Sequence, residues 1–341
     1  MIRCIELARL GRGYVMPNPM VGAVLVHNDR IIGEGYHQKY GEAHAEVNCL
    51  SSVKEADKIL ISDATLYVSL EPCAHTGKTP PCTHLILKYG IRRIVVGCAD
   101  PFKQVNGKGI QLLRSAGAEV ETGILERECI QLNKRFFTFH KRHRPYIVLK
   151  WAQTADSYIA RNDYSRLFIS NEIVNRIVHK WRSEEASIMV GTNTAFHDDP
   201  ELTTRLWPGR NPVKLVIDLD LRLPASLKMF NGGERTIVFN AKLHEERGNI
   251  FYYQVTKEVS IVHQALNALY HYNIQSVLVE GGRRLIQSFI DDNIWDEATV
   301  ITNSDMHLPD GIKAPELSNC RLVNEKVFGS NSVKTWQHSQ N

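Results

Sequence analysis

One histidine, one acid and two cysteines limit what this chain can become. The segment Gly41-Glu42-Ala43-His44-Ala45-Glu46 carries a His-x-Glu, and Pro72-Cys73 and Pro81-Cys82 follow downstream. Zinc prefers nitrogen and sulfur ligands, and a catalytic zinc keeps three protein ligands with a fourth position open. If His44, Cys73 and Cys82 are those three, the fold must carry distant segments to one point. The open position then takes a water whose pKa the metal lowers toward neutrality. Glu46 is two residues past the histidine, on the first turn of an expected helix. There it faces that water without binding the metal. It accepts a proton and passes protons to a ring nitrogen and a departing ammonia. His-x-Glu with Pro-Cys is the signature of zinc nucleobase deaminases. A structural zinc site is the bland alternative; it normally has four protein ligands, and His75 between the cysteines is the candidate fourth.

The surrounding pattern suits such a site. Strands are expected at Val21–Val26, Ile31–Gly35, Thr65–Ser69, Arg93–Val96 and Glu119–Thr122, the first two joined by an Asn28-Asp29 turn. Helices are expected at 2–11, from His44 to Ser52, at Thr83–Tyr89 and at Lys108–Ala116, with one connecting helix over Ile124–Lys141. His44 and Cys73 are each expected to begin a helix after a strand. A second α/β series starts at Pro145. Its strands are Tyr146–Trp151, Ser187–Val190, Lys214–Asp218, Thr236–Phe239, Ser276–Val279 and Ala298–Ile301; its helices include Asn171–Ser183, Val262–Tyr272 and Arg284–Ile290. The basic run His140-Lys141-Arg142-His143-Arg144 reads as a solvated junction, which puts the domains at 1–143 and 144–341. The fold class is α/β in both halves.

Composition narrows the partners. With 41 Lys and Arg against 37 Asp and Glu, the net charge of +4 is too small, and too unclustered, for a dedicated nucleic-acid binder. No stretch approaches the roughly 20 apolar residues of a membrane span. The opening MIRCIELARLGRGY lacks the apolar core of a signal peptide and reads as an amphipathic helix. Seven irregularly spaced cysteines suit reduced thiols in a cytoplasm. Neither nucleic acid nor membrane is expected as a partner, while a homo-oligomer stays open.

Eight residues separate Cys73 from Cys82, in Pro72-Cys73-Ala74-His75-Thr76-Gly77-Lys78-Thr79-Pro80-Pro81-Cys82. That run closely resembles the bifunctional deaminase/reductase family of riboflavin biosynthesis. Asn18-Pro19-Met20-Val21-Gly22-Ala23-Val24, His44-Ala45-Glu46-Val47-Asn48, Asp100-Pro101 and Asn106-Gly107-Lys108-Gly109 match the deaminase half. Tyr146-Ile147-Val148-Leu149-Lys150, Val190-Gly191-Thr192-Asn193-Thr194, Asp198-Asp199-Pro200, Leu202-Thr203-Thr204-Arg205 and Val279-Glu280-Gly281-Gly282 match the reductase half. The resemblance implies a cytidine-deaminase-like α/β/α domain followed by a dihydrofolate-reductase-like α/β domain. It implies Zn2+ in the first and NADPH in the second. The implied reaction removes the 2-amino group of a phosphorylated diamino-pyrimidinone ribosylamine, then reduces its ribosyl group to ribityl.

Site residues follow from the same resemblance. Asn18, His75 and Lys78 lie near the pyrimidine substrate of the first site. In the second, Lys150 and Asp198 manage the proton that accompanies ring opening; Arg182, Leu202, Arg205 and Glu280 contact substrate; Gln153, Phe168, Thr194, Asp198 and Gly282 contact NADPH. Some of this has independent support. Gly281-Gly282 follows a strand and opens a helix, where backbone N–H groups cradle phosphate. Thr194 and Asp198 are expected in a loop after a strand, and Arg182 and Arg205 suit a phosphate. The chain departs from the family at Asp156-Ser157, where Asp-Gly is usual, at Phe168, where tryptophan is usual, and at Phe102, where asparagine is frequent.

Overall fold

The computed structural model of the chain describes residues 1–74, 80–102 and 105–339. It divides into two compact units, Met1–His143 and Arg144–Asn341.

In the first unit the elements run α1 (Ile2–Arg9), β1 (Gly22–His27), β2 (Arg30–Tyr36), α2 (Ala45–Ser51), β3 (Thr65–Leu70), α3 (Cys82–Lys88), β4 (Arg93–Cys98), α4 (Lys108–Ser115), β5 (Glu119–Thr122), α5 (Glu126–Leu132) and α6 (Lys134–Arg142). They form one sheet in the order β2-β1-β3-β4-β5. The Asn28-Asp29 turn joins β1 and β2 with both residues at positive φ, 47° and 58°. That is the two-residue hairpin geometry that matches strand twist and that asparagine and aspartate tolerate. Strands β3, β4 and β5 run parallel. One face of the sheet buries Leu25, Leu66, Val68, Ile94 and Val96 against Cys49 of α2, Ile86 of α3 and Leu113 of α4. On the other face Ile5 and Ala8 of α1 pack with Cys129, Leu132, Phe136 and Phe137. The result is an α/β/α sandwich. Gly35 lets α2 lie directly on β2, since a Cβ there would sit 2.2 Å from the Cys49 backbone nitrogen.

Two local expectations need correction. The connecting helix over Ile124–Lys141 is two helices, broken at Asn133. The Asn133 carboxamide accepts the N–H of Met20 and donates to its carbonyl, both at 2.8 Å. Asn133 itself leaves the helical region, at φ −108° and ψ 26°. Cys73 does not begin a helix. It lies in non-regular chain after β3, and Cys82 is the cysteine that opens α3.

The second unit contains β6 (Tyr146–Thr154), β7 (Tyr158–Ala160), α7 (Glu172–Glu184), β8 (Ser187–Gly191), α8 (Thr192–Asp198), β9 (Val213–Ile217), β10 (Thr236–Asn240), β11 (Glu245–Arg247), β12 (Ile250–Gln254), α9 (Ile261–His271), β13 (Ser276–Val279), α10 (Arg283–Asp291), β14 (Glu297–Asn303), β15 (Ile312–Lys313), β16 (Cys320–Phe328) and β17 (Asn331–His338). Ten strands form a sheet in the order β11-β12-β10-β9-β8-β13-β6-β14-β17-β16. From β12 to β14 the pairings are parallel, and both flanks are antiparallel. Ile147, Leu149, Val277, Val279 and Leu215 pack with Leu266 and Leu269 of α9 and with Ile286 and Phe289 of α10. Thr194 and Asp198, expected in a loop, lie in α8. That helix has Ala195 as its buried residue and so shows no apolar period in the sequence. The β16–β17 hairpin was not expected. Strand β16 is mostly solvent-facing and lacks the alternation that marks a half-buried strand.

Candidate active site

The local fold delivers the first unit's three metal-binding side chains. His44 is the N-cap of α2, with extended backbone, and hangs its imidazole off the start of the helix. Its Nδ1 lies 3.3 Å from Cys82 Sγ and 3.6 Å from Cys73 Sγ. The three ligand atoms fall within 4.8 Å of one another. A tetrahedral ion with ordinary zinc bond lengths separates a nitrogen and a sulfur ligand by about 3.5 Å. The donor set and its spacing therefore fit zinc. Cys73 is the thiol poised to ionise, pulled down to about 4 by hydrogen bonding from Cys82 and then His44, while Cys82 is pushed up.

Glu46 occupies the first turn of α2 and is buried, at 3 % exposure. Burial raises its carboxyl above the usual range, helped by Cys73. Such a group holds a proton readily, as a proton shuttle must. Asn18 approaches from the loop before β1. Its Nδ2 lies 3.2 Å from His37 Nε2, and His37 Nδ1 lies 3.0 Å from the Ala43 carbonyl. A carbonyl only accepts, so His37 carries its proton on Nδ1 and accepts from Asn18 through Nε2. This turns the Asn18 carbonyl oxygen away from His37. Sequence reasoning missed His37, whose only signal was its closeness to His44. His75 and Lys78 lie outside the described residues.

The second unit's candidates gather at the carboxyl ends of parallel strands, where open α/β sheets bind ligands. Lys150 of β6, Arg182 of α7 and Glu280 after β13 form one largely buried knot, their side chains 14 %, 13 % and 5 % exposed. Arg182 donates from Nε and Nη2 to the two Glu280 oxygens at 2.9 and 2.7 Å, and from Nη1 to the Thr203 carbonyl at 3.2 Å. Lys150 Nζ lies 3.6 Å from Glu280 Oε2. Burial alone would raise the Glu280 carboxyl, but the Arg182 and Lys150 charges hold it at about 2. Burial pulls the Lys150 ammonium below its ordinary value, against the pull of Glu280. His179, one turn before Arg182, was also missed. It is buried, its Nδ1 has no hydrogen-bond partner among the described residues, and burial with Arg182 and Arg205 lowers it to about 4.

Beside this knot the Gly281-Gly282 turn leads into α10. A Cβ on Gly281 would meet Thr194 Cγ2 at 2.7 Å, so the turn and α8 touch. Gly282, the N-cap of α10, takes φ 71°, which glycine adopts freely. No described side chain caps that helix, and its first N–H groups suit a cofactor phosphate. Burial raises the Asp198 carboxyl at the end of α8. Gln153 accepts from Trp151 Nε1 at 2.8 Å. Leu202 is buried in a core cluster. Arg205 is half exposed beside Glu201, and Phe168 is 70 % exposed with Arg166 over its ring.

The two units thus define a zinc-dependent deaminase joined to an α/β reductase. Residues 1–98 match the cytidine and deoxycytidylate deaminase zinc-binding region, which contains His44, Cys73 and Cys82, and residues 145–304 match the RibD C-terminal domain. The chain is 40% identical to the riboflavin biosynthesis protein RibD of Aquifex aeolicus over 305 residues, 87% of this chain and 83% of that one. It is 36% identical to RibD of Actinobacillus pleuropneumoniae, covering 86% and 80%. A Thermotoga maritima diaminohydroxyphosphoribosylaminopyrimidine deaminase/5-amino-6-(5-phosphoribosylamino)uracil reductase superimposes with a TM-score of 0.90 at 34% identity, over 99% of this chain and 97% of that one. The chain belongs to the RibD family, the bifunctional deaminases and reductases of riboflavin biosynthesis. Its reductase domain implies a nicotinamide cofactor. Among the described residues, no helix is long and apolar enough to cross a membrane.

Proposed function

We propose that residues 1–143 hydrolyse the 2-amino group from 2,5-diamino-6-(5-phosphoribosylamino)pyrimidin-4(3H)-one, and that residues 144–341 reduce the product's ribosyl group to give 5-amino-6-(5-phosphoribitylamino)uracil. The convergence of one imidazole and two thiols beside the buried Glu46 carboxyl carries the reading of the first site. His44, Cys73 and Cys82 hold one zinc, which when bound supplies the Lewis acidity that makes water a nucleophile at neutral pH. Glu46 takes the proton of the attacking water and returns protons to the ring nitrogen and the departing amine. Asn18, oriented by His37, presents its carbonyl oxygen to the pyrimidine's donors, and His75 and Lys78 complete the substrate contacts.

In the second unit Gly282 and the start of α10 hold the NADPH pyrophosphate, with Thr194, Asp198, Gln153 and Phe168 along the cofactor. NADPH when bound supplies the hydride; the protein orients it. Arg182, Arg205, Leu202 and Glu280 bind the phosphorylated substrate. Lys150, a cation fixed beside Glu280, and Asp198 manage the proton that accompanies opening of the sugar ring. The seven free cysteines and the absence of a membrane-length helix among the described residues support work in the cytoplasm.

The test is a paired assay. Purified protein with the pyrimidinone substrate should release ammonia without NADPH, and should oxidise NADPH only after deamination. A fragment ending near residue 143 should retain the first activity, and one starting near Arg144 should bind NADPH. NADPH oxidation with no ammonia release, or ammonia release from the second fragment, would refute the assignment.

A further inference from the structure

Two cysteines that share one helical turn are placed by the helix itself, as in the short cysteine spacings of many zinc sites. Here eight residues intervene, Cys82 opens α3, and Cys73 belongs to no helix. Tertiary contacts must therefore hold Cys73 Sγ where His44 and Cys82 need it. Two buried side chains outside the mechanism above grip the backbone on either side of it.

Upstream is Glu71, 4 % exposed. Its Oε2 accepts from the backbone N–H of Asp100 at 3.1 Å and of Gly107 at 2.9 Å. Its Oε1 accepts from Gly109 at 2.9 Å and Ile110 at 3.3 Å. The Glu71 N–H itself donates to the Cys98 carbonyl at 3.0 Å. One carboxylate thus ties the loop after β4 and the first turn of α4 to the residue two before Cys73. The approach is close: a Cβ on Gly109 would lie 2.1 Å from the Pro72 carbonyl oxygen. Downstream is Thr83, wholly buried. Its N–H and its hydroxyl both donate to the Cys73 carbonyl at 3.2 Å. The Cys82 N–H reaches Cys73 Sγ itself at 3.3 Å.

We propose that Glu71 and Thr83 are positioning residues that brace Cys73 as a zinc ligand, doing from two sides what a shared helical turn does elsewhere. The chemistry of the brace is specific. A carboxylate offers acceptors on both oxygens, whereas glutamine turns an NH2 toward N–H donors and opens one arm. Valine at position 83 keeps the shape and the backbone bond but drops the hydroxyl; serine keeps the hydroxyl. Groups that orient metal ligands typically change metal affinity or activity by about 10–100-fold when removed.

The inference rests on the zinc reading of His44, Cys73 and Cys82. The experiment uses full-length holoenzyme and follows zinc transfer to an excess of chromogenic chelator, with NADPH oxidation of pre-deaminated substrate on the same samples as a control that the second unit is intact. Glu71→Gln and Thr83→Val should release zinc about 10-fold faster or more, Thr83→Ser should stay near wild type, and NADPH oxidation should persist in all three. If Glu71→Gln does not fold, the Thr83→Val and Thr83→Ser pair decides alone. Release at the wild-type rate would overturn the brace, even with a lowered melting temperature, because that pattern marks a merely structural role. Wild-type protein purified without zinc would overturn the underlying reading and the brace with it.

Discussion

The two candidate sites of this chain are built on opposite principles. The deaminase site collects ionisable ligands from His44, Cys73 and Cys82 inside one half of a small unit, with donor atoms close enough to share an ion, and sets the proton carrier Glu46 beside them. The reductase site collects full charges from far along the chain and sets two cations, Lys150 and Arg182, against the one carboxylate of Glu280. A metal site must be complete in its ligands and is sensitive to which atom is offered. A charge cluster largely withdrawn from water is sensitive to which charge is removed. The same kind of conservative change should therefore act differently in the two units.

The largest contrast is expected in the first unit. Glu46→Gln should keep one zinc yet lose deamination by roughly 100-fold or more, because an amide cannot accept the proton. Cys73→Ser or Cys82→Ser should lose metal and deamination together. NADPH oxidation of the pre-deaminated substrate should survive all three. Metal analysis beside both activity assays checks this; loss of zinc from the Glu46 variant would make Glu46 a ligand and void its role as proton carrier.

In the second unit the matching change is Glu280→Gln. It leaves Lys150 and Arg182 buried without their carboxylate, a lesion that typically costs about 3–5 kcal/mol. The pKa of Glu280 points the same way. It lies at about 2 in the folded chain against an ordinary value of 4.5. The folded value is depressed, so this contribution, about 3 kcal/mol, is present above the ordinary value and is lost as pH falls from about 4.5 through about 2. Wild type and variant should thus converge in stability as the solution is acidified across that window. Chemical denaturation of the second unit at several pH values measures it. In the active range the variant should also move the alkaline limb of NADPH oxidation to lower pH. Burial already pulls Lys150 down, and Glu280 is the charge opposing that pull. A stability gap that stays constant into acid would break the picture of a carboxylate held ionised by its two cations.

The contrast also explains what could be read from the chain in advance. His44, Glu46, Cys73 and Cys82 were legible because zinc chemistry restricts residue type and spacing together. The strand–helix alternation was legible because parallel strands bury both faces and read as short apolar runs. What stayed hidden lacked such a pattern. Cys73 was expected on a helix because the spacing of the two cysteines does not reveal which of them the helix carries. Helix α8 buries too little to show a period, and β16 is exposed along most of its length. The pairing of Arg182 with Glu280 joins residues 98 apart, and no local signal links them. Glu71 was visible only as an acid beside Pro72-Cys73; nothing nearby in sequence shows that four backbone N–H groups converge on it.

A last test probes a departure from the family that the knot does not explain. Ser157 stands where the family usually has glycine, in the turn between β6 and β7, and takes φ 65°. Its N–H donates to the Thr154 carbonyl at 3.0 Å, closing a tight turn whose conformation suits glycine. A non-glycine residue in that region pays roughly 1–2 kcal/mol. Glycine removes that strain but adds about 0.5–1 kcal/mol of backbone entropy to be lost on folding. It also deletes the Ser157 hydroxyl, which accepts from Gln153 Nε2 at 3.5 Å, a long and therefore weak contact. The balance favours glycine, so Ser157→Gly should stabilise the second unit by up to about 1 kcal/mol and leave zinc content unchanged. Because Gln153 is a cofactor candidate, the same variant should be titrated with NADPH. A gain in stability with unchanged affinity assigns the departure to the turn alone. A loss of affinity would mean that Ser157 orients Gln153 toward the cofactor, and that the strain at φ 65° is held for binding.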